Sequence, residues 1–216
     1  MTKKINTETK TVQANHYCDP QTGSIVPAIY TSTTYARDKN YQLISENYSY
    51  GRDENPSFTV PERVLADLEG GEEALLFSSG MSAAISVFQA LEPGDHVVAP
   101  EIMYWGLREW LKEFSEKWGV DVTFYDVNEQ NSLKNSIVTD KTKLVWIETP
   151  CNPTWGVIDI EEAADISHEN NAYLVVDSTV STPVITRPID FGADIVMHSA
   201  TKYLNGHGDV VAGALV

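Results

Sequence analysis

The sequence has few cysteines and no long apolar run, and each shortage excludes a class of protein. Cys18 and Cys151 lie far apart, and neither belongs to a C-x-x-C pair, which argues against a disulfide framework and a zinc site. No stretch approaches the roughly 18 apolar residues of a membrane span. Residues 1–13 lack the apolar core of a signal peptide. We therefore expect a cytoplasmic protein without a metal site.

Basic residues are also scarce. The 216 residues include 15 Lys and Arg against 31 Asp and Glu, so the formal net charge is −16. Such a charge repels the phosphate backbone of nucleic acids and anionic membrane surfaces. We therefore expect neither nucleic acid nor a membrane as a partner. Hydrophobic residues make up 42% of the chain, which is enough to form the core of a globular domain.

The chain changes character near residue 59. Residues 1–58 are polar and irregular, and we predict that they form an N-terminal arm. Thr59 and Glu62 have the spacing of a capping box, so we expect a helix and a large domain to begin there and to occupy residues 59–216. The sequence stops inside the apolar run 213–216. We therefore expect a truncated chain that lacks a C-terminal domain.

Short apolar runs alternate with helical patterns in the predicted domain. The runs lie at residues 74–77, 96–99, 122–125, 144–147, 173–176 and 195–197, and helical stretches include 81–91, 104–118 and 160–170. Near-continuous apolar strands that alternate with helices predict an α/β fold, with a mostly parallel sheet covered by helices on both faces. In such sheets ligands bind beyond the carboxyl ends of the strands.

Three segments near predicted strand ends could carry chemistry. Ser79-Gly80-Met81 lies between a strand and a helix, where free backbone N–H groups favour an anion, although a tight turn that binds nothing has the same pattern. Asp177 directly follows a strand and could be a helix cap, a metal ligand or the partner of a cofactor. Lys202 follows the last predicted strand; a lysine is most often a solvated surface charge.

The neighbours of Lys202 favour a chemical role. The hydroxyl residues Ser199 and Thr201 flank it, and a Schiff-base cofactor with a phosphate needs an amine near phosphate-binding hydroxyls. A carboxylate such as Asp177 would keep the ring nitrogen of pyridoxal 5′-phosphate protonated. His198, His207 and Asp209 have no paired spacing that would support a metal site.

Five segments in order resemble the Cys/Met-metabolism family of pyridoxal-phosphate enzymes, and the similarity covers nearly the whole chain. The segments are Tyr48-Ser49-Tyr50-Gly51-Arg52, Phe77-Ser78-Ser79-Gly80-Met81, Glu148-Thr149-Pro150-Cys151-Asn152-Pro153, Asp177, and residues 199–207 around Lys202. The resemblance implies the pyridoxal-phosphate-dependent transferase fold of type I. It also implies that an arginine in the absent C-terminal part binds the α-carboxylate of the substrate.

The resemblance assigns a role to each candidate residue. It implies that Lys202 forms the Schiff base, that Asp177 holds the ring nitrogen and that Asn152 lies beside the ring hydroxyl. Phosphate-binding groups are implied for Ser79, Gly80, Met81, Ser199 and Thr201. Tyr104 resembles the tyrosine that stacks on the ring and assists proton transfer, although here Trp105 separates it from Gly106. Tyr50 and Arg52 are expected to reach the cofactor phosphate of a neighbouring subunit, in a homodimer or homotetramer.

The activity implied by the resemblance is γ-replacement or γ-elimination on homoserine esters or cystathionine, as in cystathionine γ-synthase and γ-lyase. Methionine γ-lyase, cystathionine β-lyase and O-acylhomoserine sulfhydrylase activities remain alternatives. A homologue that binds the cofactor without turning over a substrate is also possible. A nicotinamide-dependent oxidoreductase would share the parallel sheet, but the Gly-x-Gly-x-x-Gly spacing of such enzymes is absent from the sequence.

Overall fold

The computed structural model describes residues 5–45 and 47–216, which divide into two compact units. The N-terminal unit extends to Leu68 and includes Glu72–Ala74. The second unit comprises Glu69–Gly71 and Leu75–Val216. The predicted arm of residues 1–58 falls within the N-terminal unit, except that residues 1–4 and Glu46 lie outside the described residues. Its contact with a neighbouring subunit stays a prediction.

The N-terminal unit contains a short helix and a long, irregular segment. Helix α1 (Thr7–Gln13) begins after Asn6, whose side-chain oxygen accepts a hydrogen bond from the Thr9 amide at 2.9 Å. Farther along the chain, the side-chain amide of Asn55 donates to the carbonyls of Tyr30 and Ser32 at 3.3 and 3.4 Å. The buried Asn55 side chain therefore ties the irregular segment to the start of the next helix.

That next helix, α2 (Pro56–Glu69), begins three residues before the predicted start at Thr59. The side-chain oxygen of Asn55 accepts from the Ser57 amide at 2.9 Å and so caps the helix. Thr59 lies inside the first turn, where its hydroxyl donates to the Asn55 carbonyl at 3.1 Å. The predicted capping box was therefore wrong about the helix start, because Asn55 followed by Pro56 is the stronger signal.

In the part of the chain that the structure describes, seven strands form one sheet in the order β1-β7-β6-β5-β4-β2-β3. The strands are β1 (Leu75–Phe77), β2 (His96–Pro100), β3 (Asp121–Tyr125), β4 (Thr142–Glu148), β5 (Tyr173–Asp177), β6 (Ile195–His198) and β7 (Gly213–Leu215). Strands β2 to β6 pair in parallel, and β7 pairs antiparallel with both β1 and β6. The predicted mostly parallel sheet is confirmed.

The helices of the second unit connect these strands. They are α3 (Gly80–Phe88), α4 (Trp105–Trp118), α5 (Ser132–Ser136), α6 (Ile160–Glu169), α7 (Thr182–Ile185) and a 3-10 helix at Pro188–Phe191. Among the described helices, none is both long and apolar enough to cross a lipid bilayer.

Helices cover the sheet on both faces. Consecutive strand residues alternate between two apolar clusters: Val97 packs with residues of α3 and α4, whereas Val98 packs with residues of α6. In the same way, Trp146 belongs to the cluster that contains Val97, and Ile147 belongs to the cluster that contains Val98. Because side chains in a strand point alternately to opposite faces, a strand buried on both sides must be apolar throughout. This requirement accounts for the continuous apolar runs and leaves polar residues to the strand ends.

Candidate functional site

A cavity of about 770 Å³ lies at the carboxyl ends of β4, β5 and β6, entirely within the second unit. It brings together nine of the eleven predicted site residues: Ser79, Gly80, Met81, Tyr104, Asn152, Asp177, Ser199, Thr201 and Lys202. The location agrees with the rule that parallel sheets bind ligands beyond the carboxyl ends of their strands.

The start of α3 forms one part of the cavity wall. The Ser79 hydroxyl caps this helix by accepting from the Ser82 amide at 3.0 Å. The amides of Gly80 and Met81 precede the capped amide, at the end of the helix where N–H groups have no partner within the helix. Together with the helix dipole, these amides suit an anionic group such as a phosphate.

Gly80 allows a close approach between α3 and the segment after β6. A Cβ atom at this position would lie 2.7 Å from both Cβ and Oγ of Ser199. Such a contact is too short for any real side chain, so only glycine lets the Ser199 hydroxyl lie over the start of the helix. The Ser199 backbone is fixed in turn, because its amide donates to the Thr179 hydroxyl at 2.8 Å.

The Thr201 hydroxyl is already engaged in the structure. It donates to the Ala212 carbonyl and accepts from the Ala212 amide, both at 3.0 Å. Its single hydrogen is therefore committed to the backbone, whereas a phosphate oxygen would need that hydrogen as a donor. The phosphate-binding role of Thr201 stays a prediction, and it requires the hydroxyl to exchange partners.

Asp177 is the last residue of β5, and its side chain is almost fully buried at the cavity. One carboxylate oxygen accepts from the Thr179 amide at 3.0 Å. Burial raises the pKa of Asp177 above its usual value, and hydrogen bonds from Thr179 together with the nearby His198 oppose that shift. The raised pKa indicates a carboxylate whose charge is costly until a cation approaches it.

Glu148, to which the sequence patterns assign no separate role, occupies the same position on the neighbouring strand. It is the last residue of β4, lies in register with Asp177 and lines the cavity. Its two oxygens accept from the amides of Tyr104 at 2.6 Å and Asn152 at 3.1 Å. Burial and the charge of Asp177 nevertheless raise the pKa of Glu148 to about 7. Like Asp177, Glu148 directly follows a run of apolar residues in the sequence, and this pattern could have indicated a residue at the cavity.

Tyr104 precedes α4, and its side chain is partly exposed at the cavity. A Cβ atom on Gly106 would lie 2.9 Å from Cε1 of the Tyr104 ring. The ring therefore lies across Gly106, and a larger residue there would displace it. Trp105 is 72% exposed. The inserted tryptophan thus leaves the contact between tyrosine and glycine intact.

Lys202 and Asn152 lie in the two loops that follow β6 and β4. Lys202 belongs to a tight turn, in which its amide donates to the Ser199 carbonyl at 3.0 Å and its carbonyl accepts from the Gly206 amide at 2.9 Å. Both residues line the cavity, and both are exposed. The loops therefore present an amine and a side-chain amide to the same space.

Tyr50 and Arg52 are the two predicted site residues outside this group, since they belong to the N-terminal unit. The Arg52 guanidinium carbon lies 5.0 Å from the centroid of the Tyr50 ring. Its side chain is 80% exposed and forms an ion pair with Asp53 at 3.5 Å. The cation and the phenol are thus adjacent at the surface of this unit, and their role toward a neighbouring subunit stays a prediction.

The groups around the cavity fit pyridoxal 5′-phosphate. The start of α3 suits its phosphate, the buried Asp177 carboxylate suits a protonated ring nitrogen, and the Lys202 amine suits its aldehyde. The close contact between Gly80 and Ser199 would be lost with any side chain at position 80. The raised pKa of Asp177 is the property that a cationic ring would offset.

Comparison with known proteins gives a consistent match. A family model described as "Cys/Met metabolism PLP-dependent enzyme" matches residues 8–216. A cystathionine β-lyase of Coxiella burnetii is 39% identical over 99% of the chain. A cystathionine γ-lyase of Dictyostelium discoideum is 40% identical over 96% of it.

Solved structures agree on the fold. The cystathionine γ-synthase of Xanthomonas oryzae pv. oryzae, solved with aminoacrylate and cysteine, superimposes with a TM-score of 0.93 at 35% identity over 99% of the chain. The chain covers 55% of that structure, and 55% and 53% of the two curated relatives. It therefore spans about half the length of the proteins that it matches.

Proposed function

Because the chain belongs to the Cys/Met metabolism family of pyridoxal-phosphate-dependent enzymes, we propose that the whole protein catalyses γ-replacement or γ-elimination on homoserine esters or cystathionine. The observation that carries the proposal is the cavity, which collects an amine, a buried carboxylate and a helix N-terminus at one edge of the sheet. Cleavage of cystathionine at its β-carbon is the second candidate, since a relative matched over 99% of the chain is a cystathionine β-lyase.

Each residue has a distinct task in this proposal. When bound, pyridoxal phosphate supplies an electron sink for negative charge at the substrate Cα. Lys202 would hold the cofactor covalently through Nζ. When it is not bonded to the cofactor, Nζ would remove the proton from the substrate Cα and deliver protons to neighbouring carbons.

The other groups around the cavity hold and orient the cofactor. The Asp177 carboxylate keeps a proton on the ring nitrogen, and the amides of Gly80 and Met81 hold the phosphate with the Ser199 hydroxyl. The Tyr104 phenol assists the proton transfers of Lys202. These tasks are common to synthases and lyases, so the reaction must be identified from its products.

The test is a product assay on the full-length protein with pyridoxal phosphate and cystathionine. Cysteine with 2-oxobutanoate and ammonia identifies γ-elimination, whereas homocysteine with pyruvate and ammonia identifies β-elimination. If neither set appears, the assay is repeated with an O-acylhomoserine and cysteine, and formation of cystathionine identifies γ-replacement. A protein that binds the cofactor yet converts none of these substrates would contradict the proposal; assays with methionine, and with an O-acylhomoserine and sulfide, would then separate the remaining enzymes from a non-catalytic homologue.

A matched pair of lysine variants tests the assignment of Lys202. Lys202→Ala should lose the visible absorbance of the covalently held cofactor and at least about a thousandfold in turnover, because both the covalent link and the proton carrier are removed. Lys117→Ala changes a lysine that is 67% exposed on α4 and should leave both unchanged. Retention of the visible band in Lys202→Ala would contradict the assignment.

A further inference from the structure

Glu148 is a buried acid to which the proposed reaction assigns no task. Its side chain is 5% exposed at the end of β4, and its nearest counterpart in the sheet is Asp177 on β5. Two adjacent carboxylates at the edge of an apolar sheet are costly, because burial disfavours each charge and each charge disfavours the other. The pair of carboxylates therefore destabilises the fold, and a role at the cavity would explain why both are present.

The hydrogen bonds of Glu148 connect two separate loops. Oε2 accepts from the Tyr104 amide at the start of α4, and Oε1 accepts from the Asn152 amide in the loop after β4. Tyr104 occupies the N-cap position of α4 but makes no side-chain capping bond there. The Glu148 carboxylate, which belongs to β4, thus fixes the start of α4 in place of a side-chain cap. Both residues that it holds line the cavity.

We propose that Glu148 is a positioning residue of the cofactor site. Its two oxygens fix the backbone at Tyr104 and Asn152, and its negative charge strengthens the hold of Asp177 on the proton of the cofactor ring. The inference rests on the proposed function, since it assumes that this cavity binds pyridoxal phosphate. Glu148 acts through the three residues that it contacts or faces, and it does not itself react.

The charge of Glu148 changes near neutral pH. Burial and the charge of Asp177 raise its pKa to about 7, although the amides of Asn152 and Tyr104 favour the ionised form. Its ionisation should therefore add a negative charge beside Asp177 as the pH rises through 7. The other titratable groups that line the cavity or contact this carboxylate are Tyr104 from α4, Cys151 from the loop after β4, and Lys202, Tyr203 and His207 from the segment after β6.

The experiment uses full-length protein freed of cofactor, and 4-deoxypyridoxine 5′-phosphate as the probe. This analogue lacks the aldehyde, so its affinity reports the non-covalent hold without Lys202. Its dissociation constant is measured by tryptophan fluorescence from pH 5.5 to 8.5 for the wild type, Glu148→Gln and the surface control Glu129→Gln. Ionisation of the free probe is the same in all three experiments and cancels in the ratios, so a remaining pH dependence reports the bound state.

We expect Glu148→Gln to bind the probe about tenfold more weakly at pH 8, because it loses the charge and one acceptor. The ratio to the wild type should shrink below pH 6, where Glu148 is neutral. Glu129→Gln should match the wild type throughout. Equal affinity of Glu148→Gln and the wild type would overturn the inference, and so would a loss that is constant with pH. If the wild type fails to bind the probe, the proposed function itself has failed.

A second variant keeps the test decisive if Glu148→Gln does not fold. Glu148→Asp retains the charge but is too short to hold both amides. Its affinity should be lower than that of the wild type at every pH and should still show the change near pH 7. If Glu148→Asp and the wild type bind the probe with equal affinity, the inference is overturned.

Discussion

Gly80 and Ser199 lie so close together that one methyl group would not fit between them. A Cβ at position 80 would lie only 2.7 Å from the Ser199 side chain. Gly208 offers a contrast, since a Cβ there would meet no atom within 4 Å and its backbone does not adopt a positive φ. The two glycines thus differ in whether a side chain is tolerated.

We predict that Gly80→Ala weakens binding of the cofactor phosphate. The added methyl group must push Ser199 away from the start of α3, so a phosphate would lose the hydroxyl and part of the amide contacts. The dissociation constant of pyridoxal phosphate should rise by about tenfold or more. Equilibrium dialysis of the full-length variant measures this. Gly208→Ala serves as the control and should bind as the wild type does; an unchanged constant in Gly80→Ala would contradict the prediction.

At the scale of elements, the end of α2 is joined to β6 by a buried acid and a buried histidine. Glu69 Oε1 and His198 Nε2 are 2.5 Å apart, and both side chains are fully buried. Within the described residues, the second nitrogen of His198 and the second oxygen of Glu69 are buried without a hydrogen-bond partner. The pair therefore depends on the one contact between its members.

We predict that removing one member costs far more than removing both. Glu69→Leu should lower the free energy of unfolding by about 3 to 5 kcal/mol, because it leaves the His198 ring buried without its partner. Glu69→Leu/His198→Leu should recover much of that loss. Urea unfolding of cofactor-free full-length protein measures these two variants and the single variant His198→Leu, with Glu116→Leu on the exposed face of α4 as the control. Simple addition of the two single-variant losses would show that the contact does not stabilise the fold.

The elements also show why some features were predictable and others were not. Strands β2, β4 and β5 were evident because a strand buried on both faces must be apolar at every position. The place of Asp177 and Lys202 at the cavity was predictable because polar residues that follow such strands lie at the carboxyl ends of the strands, where ligands bind. These signals are local, so a single sequence contains them.

The features that were missed depend on contacts between distant segments. The place of β7 between β1 and β6 depends on pairing that its three apolar residues do not specify. The hydrogen bond from the Tyr104 amide to Glu148 joins residues that are 44 positions apart in the chain. The partner of the Thr201 hydroxyl is likewise set by the return of the chain at Ala212.

At the scale of the whole molecule, the eleven predicted site residues are divided between two units of the chain. Nine line the cavity of the second unit, while Tyr50 and Arg52 lie in the N-terminal unit. The resemblance to the family implies that these two residues act on the cofactor of a neighbouring subunit. If so, no isolated subunit contains a complete site.

We predict that two defective variants complement each other when they assemble together. Arg52→Ala lacks the guanidinium at position 52 and Lys202→Ala lacks the amine, so a mixed dimer regains one complete site out of two. Refolding an equal mixture of the full-length variants should restore up to about a quarter of wild-type activity, from random pairing of subunits in a symmetric dimer. As the control, Arg52→Ala is mixed with the double variant Arg52→Ala/Lys202→Ala and should regain nothing. An absence of recovery in mixed oligomers would contradict the shared site.

The antiparallel strand β7 also sets an order of events during synthesis. Strand β1, which leads into α3 and its free amides, is an edge strand whose neighbour in the sheet is β7. A Cβ at Gly213 would lie 2.2 Å from the Ser79 carbonyl oxygen, so β7 also packs directly on the cap of that helix. On the ribosome, β1 and the start of α3 are made early, but β1 gains its place in the sheet only after β7 has emerged. The start of α3 would therefore reach its position beside Ser199 only when the sheet is closed along this edge.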